Sequence, residues 1–336
     1  KIAVMDTVDG FFTEEWLNNV EQVLDGKMPD YLVIQHMEPD HSASIPAFLK
    51  KYPKTTVVST AKGFQFMEQF FPEFFAEQGL PAEQRIVAAN DGVLELGQHS
   101  LHFVYAPMVH WPEVMMTYEA TEKILFAADG FGKFGALDVE EEWADEARRY
   151  YIGIVGKYGP QVQAVLKKAA GLDIQTICSL HGPVLKENLG FYLEKYDKWS
   201  SYQPEESGVV IAYASVYGNT RNAAEYLADV LQEKGQKTVL YDLARCDKAK
   251  AVADAFRYDR LVLAGITYNG DLFPCMRSFI EGLTERNYQN RKVAIIENGT
   301  WAPMAGKLIL GMFEKSKNLT FTETTVSIKS AMNAQN

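Results

Sequence analysis

The sequence predicts two domains of different class: an α+β first half with helical layers on both sides of sheets, and an α/β second half built on a doubly wound parallel sheet. Three observations carry this. A length of 336 residues is a prior for about two domains. Short strands and helices mix irregularly up to about residue 203, and β and α segments then alternate in strict succession. The polar stretch from Ser200 to Gly208, punctuated by Pro204, reads as a linker and sets the domains at 1–203 and 204–336.

In the first domain, Tyr31–Ile34, Thr56–Ser59, Leu101–Tyr105, Val114–Tyr118 and Lys123–Ala127 are apolar or β-branched runs of strand length. Phe11–Leu24, Ala61–Phe71 and Trp143–Tyr151 carry helical spacing. In the second domain the strands are Val209–Ala214, Lys237–Tyr241, Arg260–Ala264, Lys292–Ile296 and Thr320–Lys329. The helices between them are Arg221–Lys234, Lys248–Phe256, Pro274–Thr284 and Pro303–Glu314. Such a sheet is covered on both faces and takes ligands beyond the carboxyl ends of its strands. Lys1-Ile-Ala-Val-Met5 reads as a strand already under way, and the last strand lacks a covering helix, so missing N-terminal strands and a missing last helix are expected.

An apolar fraction of 47% with 23% charged residues excludes disordered and fibrous classes. No run approaches the roughly 18 apolar residues of a membrane span. With 33 basic against 44 acidic residues, the net charge of −11 repels phosphate backbones and argues against a nucleic-acid partner. Cys178, Cys246 and Cys275 form no C-x-x-C pair, which fits the cytoplasm and excludes thiolate-rich metal sites. Cys275, at a helix start where a thiol pKa can fall, receives no role.

The densest group of metal-ligand types is His36-Met-Glu38-Pro-Asp40-His41, directly after the strand Tyr31–Ile34. His110 and Asp129 also follow predicted strands, and His181 follows the run Thr176–Leu180. Four histidines and three carboxylates thus occupy four strand-end loops, a repetition that turn formation does not require. His99 and His102 lie on a short alternating strand without carboxylate neighbours and read as surface residues. Oxygen and nitrogen donors without sulfur suit iron or manganese. Charge counting favours two divalent ions: their +4 is balanced by three carboxylates and one hydroxide.

In the second domain, Ser215-Val-Tyr217-Gly218-Asn219-Thr220 follows a strand and opens a helix. It is neither a Walker A loop nor G-x-G-x-x-G, but its hydroxyl and backbone N–H groups can wrap a phosphate at the helix N-terminus. It resembles the flavodoxin phosphate loop, with Tyr217 in place of a small hydroxyl residue. Thr267, Tyr268, Asn269 and Gly270 after one strand, and Asn298, Gly299, Thr300 and Trp301 after the next, lie on the same rim and can flank a planar flavin.

The pattern H-x-E-x-D-H with remote His, Asp and His resembles the flavodiiron proteins, or A-type flavoproteins. Their first domain is a metallo-β-lactamase-like αββα sandwich and their second is flavodoxin-like. Glu38, where hydrolases of that fold usually carry His, is the departure that marks the redox branch. The resemblance implies one iron on His36, Glu38 and His110, another on Asp40, His41 and His181, and Asp129 between them. Family members differ in whether the residue at the place of His41 binds metal or leaves it to water. The resemblance also implies that part of a first β-hairpin is absent. It further implies FMN, two non-haem irons, and reduction of O2 to water, NO to N2O, or both. The implied partners are rubredoxin or a related reductase as donor and a second copy in a head-to-tail homodimer, alone or as a dimer of dimers. Trp111 and other aromatics near the metals would shape the pocket. Two other readings stay open: a zinc hydrolase of the same fold, against which Glu38 argues, and an FMN electron carrier without catalysis, against which seven ligand-type residues argue.

Overall fold

The computed structural model describes Lys1–Asn336. The chain divides into two compact units, one of Lys1–Glu140 with Gln161–Leu193 and one of Glu141–Pro160 with Glu194–Asn336.

The first unit holds two sheets. One is a parallel sheet of Ala3–Met5, Tyr31–Val33, Thr56–Ser59 and Arg85–Val87, in chain order. The other is an antiparallel meander of Val93–Glu95, Ser100–Tyr105, Met115–Glu119 and Ile124–Phe126, extended by Thr176–Cys178 in parallel. The strand Tyr31–Val33 shows why the layers stack. Side chains alternate across a strand, so Leu32 meets Phe48, Leu49 and Met67 from helices Ile45–Lys51 and Ala61–Phe70, while Tyr31 and Val33 meet Leu101, Phe103 and Met115 of the second sheet. Thr60 starts the helix Ala61–Phe70 by accepting the Gly63 N–H at 3.0 Å.

The second unit is the expected parallel sheet, with neighbours in the order Thr238–Asp242, Glu206–Tyr213, Tyr258–Tyr268, Arg291–Asn298, Leu319–Phe321. This is the 2-1-3-4-5 order of flavodoxin-like folds, which open a crevice where the winding reverses.

Several sequence expectations change. The last strand is not continuous: Leu319–Phe321 and Val326–Ile328 pair with successive parts of Arg291–Asn298, and the polar residues 322–325 turn between them. The linker shrinks to 201–205, because helix Leu189–Ser200 runs up to it and strand Glu206–Tyr213 begins directly after it. The helix Trp143–Ile154 packs in the second unit, its Trp143 ring stacked at 6.0 Å on Trp199. The helices Ile45–Lys51, Gly159–Ala169 and Leu189–Ser200 had no sequence counterpart. His99 does have a carboxylate neighbour, since its Nδ1 lies 3.0 Å from Glu119 Oε1 across the meander. Burial pushes the Cys275 thiol pKa up rather than down. No helix is long and apolar enough to cross a membrane.

Candidate functional site

The buried strand Tyr31–Val33 delivers His36 to the edge of its sheet, and the turn Pro39–Ser42 brings Asp40 and His41 beside it. His110 and Asp129 arrive from loops after Ser100–Tyr105 and Ile124–Phe126, and His181 from the loop after Thr176–Cys178. Gly130 permits the tight turn behind Asp129, because a Cβ there would lie 2.8 Å from the Ala127 carbonyl oxygen.

These loops gather all seven residues into two clusters, His36, Glu38, His110 and Asp129 in one and Asp40, His41 and His181 in the other. In the first, His110 Nε2 lies 3.0 Å from both Glu38 Oε2 and Asp129 Oδ2, and His36 Nε2 lies 3.3 and 3.2 Å from the same two atoms. In the second, His181 Nε2 is 3.1 Å from His41 Nε2 and 3.2 Å from Asp40 Oδ2. Asp129 joins them: its other oxygen, Oδ1, is 3.0 Å from His41 Nε2. Asp129, His36 and His41 are buried, whereas Glu38, Asp40 and His181 are each about one-third exposed and mark the open side.

Burial disfavours the imidazolium form of His110, yet hydrogen bonds to Asp129 and Glu38 outweigh it and hold the pKa near 9. The same bonds, from His110 and His36, hold Glu38 down at about 2. Asp129 stays ionised despite burial because His110, His36 and His41 all bond to it. The site is therefore arranged for positive charge.

The donor spacing fits metal ions. Ligands about 2.1 Å from an ion and at octahedral or tetrahedral angles stand about 3.0 to 3.4 Å apart, which is the spacing of these nitrogens and oxygens. His41 Nε2 and His181 Nε2, 3.1 Å apart, stand close enough to share one cation as well as one proton. Trp111 stands edge-on to His36 at 5.3 Å and stacks on Phe70, forming an apolar wall.

In the second unit, the rim loops enclose a cavity of about 570 Å³, of the size that takes a cofactor. Every residue expected there lines it except Gly218, whose φ of 92° forms the turn and whose N–H bonds Ser215 Oγ at 3.1 Å. Tyr217 and Trp301 are 94% and 90% exposed, free to cover a planar ring. Sequence reasoning missed Ser330 on this cavity. Its N–H donates to Asn298 Oδ1 and its carbonyl accepts from Asn298 Nδ2, a pairing with no local sequence signal. It also missed Asp6, whose buried carboxylate accepts the Gln35 N–H at 2.7 Å and shapes the approach to His36.

Residues 2–182 match the model of the ODP family beta lactamases. The chain belongs to that family. Residues 210–315 match a flavodoxin domain, and the two together are the architecture of the flavodiiron proteins. A flavodoxin domain implies FMN, and the flavodiiron family carries a non-haem diiron site. The chain is 32% identical over 255 residues to "Diflavin flavoprotein A 1" of Synechocystis, covering 74% of this chain and 43% of that one. It is 27% identical over 315 residues to an "Anaerobic nitric oxide reductase flavorubredoxin" of Aeromonas hydrophila, covering 90% and 62%. It thus spans about two-fifths to three-fifths of the length of these relatives. The rubredoxin oxygen:oxidoreductase of Desulfovibrio gigas superposes with a TM-score of 0.89 at 24% identity, over 99% of this chain and 84% of that one. The flavodiiron protein of Giardia intestinalis gives 0.84 at 24% identity, over 96% and 82%. These two likenesses are of fold.

Proposed function

We propose that this flavodiiron chain is an oxidoreductase that passes electrons from FMN to a diiron site reducing O2 to water, NO to N2O, or both. The observation that carries it is the pair of clusters sharing Asp129, with four imidazoles, three carboxylates and no thiolate. His36, Glu38 and His110 would hold one iron, Asp40, His41 and His181 the other, and Asp129 both.

When bound, the iron pair supplies electrons to a diatomic ligand and FMN replenishes them. The residues do the rest. Asp129, nearly inaccessible to water, fixes the clusters at one separation. Glu38, Asp40 and His181 leave an opening at which a small molecule can enter, and Trp111 with Phe66 and Phe70 keeps one wall apolar. On the other unit, Ser215, Asn219 and Thr220 offer polar groups to a phosphate at the start of helix Asn219–Glu233, whose dipole favours an anion. The reading includes a rubredoxin-type donor, a cytoplasmic location and a head-to-tail homodimer. The names of the relatives support the donor, and the frequency of two-fold oligomers supports the dimer.

The test is elemental and flavin analysis of protein made with iron available, followed by O2 and NO uptake after anaerobic reduction. About two irons and one FMN per chain, with uptake of at least one gas, is the expected result. Active protein holding two zinc ions and negligible iron would instead establish the hydrolase.

A further inference from the structure

Glu113 is a buried carboxylate outside the seven candidate ligands. Its Oε1 lies 2.8 Å from His36 Nδ1 and accepts the Met37 N–H at 2.9 Å. Its backbone carbonyl accepts the Thr60 hydroxyl at 3.1 Å, so the residue is held at both ends. Its Oε2 is shut off from water and has no hydrogen-bond partner. His36, fully buried, turns Nε2 toward Glu38 and Asp129, and the Trp111 ring limits its rotation.

We propose that Glu113 is a positioning residue for the metal on the His36 side. It commits the ring to one tautomer and, as an anion behind the ring, strengthens Nε2 as a donor. The geometry carries this. A carboxylate oxygen has no proton to give, so Oε1 accepts from Nδ1 as it does from the Met37 N–H, and Nε2, which faces Glu38 and Asp129, is the nitrogen that can offer a lone pair to a metal. A buried carboxylate with one unpaired oxygen is costly unless positive charge stands nearby, and a cation held by His36 would provide it through the ring. The signal in sequence is faint: Glu113 follows His110 by three residues in His-Trp-Pro-Glu and lies 77 positions from the ring that it bonds.

The proposal rests on the flavodiiron reading, and the experiment separates the two. Wild type and Glu113→Gln are compared for iron content, iron affinity and the potential of the iron pair, followed by electron paramagnetic resonance. Gln keeps the shape and removes the charge. FMN and fold should be unchanged, and iron affinity on the His36 side should fall about 10- to 100-fold. The potential should rise by about 59 mV for each tenfold by which ferric binding weakens more than ferrous, a shift that lost packing alone would not give. In zinc-loaded wild type, nitrogen–proton correlation spectra should place the His36 proton on Nδ1, a readout that stands even if the variant does not fold. Wild-type affinity and potential in Glu113→Gln, or the proton on Nε2, would overturn the proposal while leaving the flavodiiron reading intact. A wild-type chain that binds no iron overturns both.

Discussion

Replacing Glu205 by Gln tests how the second unit is held together. The Glu205 side chain has no exposed surface and is bonded by Arg148, by Lys195 Nζ at 2.6 Å and by Trp199 Nε1 at 2.7 Å. Burial alone would raise its pKa, but Arg148, Lys195 and Trp199 outweigh burial and hold it at about 2 against an ordinary 4.5. That difference, at about 1.4 kcal/mol per pH unit, is worth about 3 kcal/mol. Because the folded-state pKa is lowered, the stabilisation is complete above the unfolded value and is lost as the pH falls through the folded one. By linkage about 3 kcal/mol is present at pH 6 and about 1 kcal/mol remains at pH 3. The variant also leaves Arg148 short of a buried partner, which places the loss in the range of about 3 to 5 kcal/mol found for broken buried pairs. Urea unfolding of both proteins, followed by tryptophan fluorescence at pH 6 and pH 3, measures the gap, and metal loss in acid is common to both. The gap should shrink by about 2 kcal/mol between the two pH values. A gap that is the same at both, or below about 1 kcal/mol at pH 6, would show that the Arg148–Glu205 pair does not carry this stability.

The remaining predictions concern the sites. His110→Asn should weaken one iron and spare FMN, whereas Asp129→Asn, which touches both clusters, should weaken both; equal iron loss in the two variants, read by elemental analysis, would contradict the sharing of Asp129. Thr220→Val should raise the FMN dissociation constant about 10- to 100-fold with iron unchanged, because it deletes a hydroxyl on the cavity that also accepts from Asn298 Nδ2 at 3.3 Å. Flavin fluorescence titration checks it, and an unchanged constant would misplace the phosphate. A mixed dimer of one metal-dead chain (His36→Ala, Asp129→Ala) and one flavin-dead chain (Asn219→Ala, Thr220→Val) should recover about half the wild-type activity if electrons cross between subunits. A mixed dimer as inactive as its parents would refute the head-to-tail arrangement.

What the sequence by itself determined is what short-range pattern encodes. The alternating rhythm after Gly208 specifies a parallel sheet because each strand and helix shows its period locally. The candidate ligands stand out because a strand end fixes where its following loop goes, so His36, His110, Asp129 and His181 can be grouped without knowing the distances between them. Tertiary structure alone decided the rest. Glu113 lies 77 residues from His36, and Glu205 lies 57 residues from Arg148. Ser330 meets Asn298 because the chain, after the polar residues 322–325, resumes pairing in the same direction with the later part of the strand Arg291–Asn298. The helix Trp143–Ile154 joins the second unit because the stacking of Trp143 on Trp199 and the Arg148 pair draw it there, not because of its place in the chain. Each of these is a contact between distant segments whose partner no local period names. It is the burial of charge and aromatic surface, settled only when the chain is compact, that selects them.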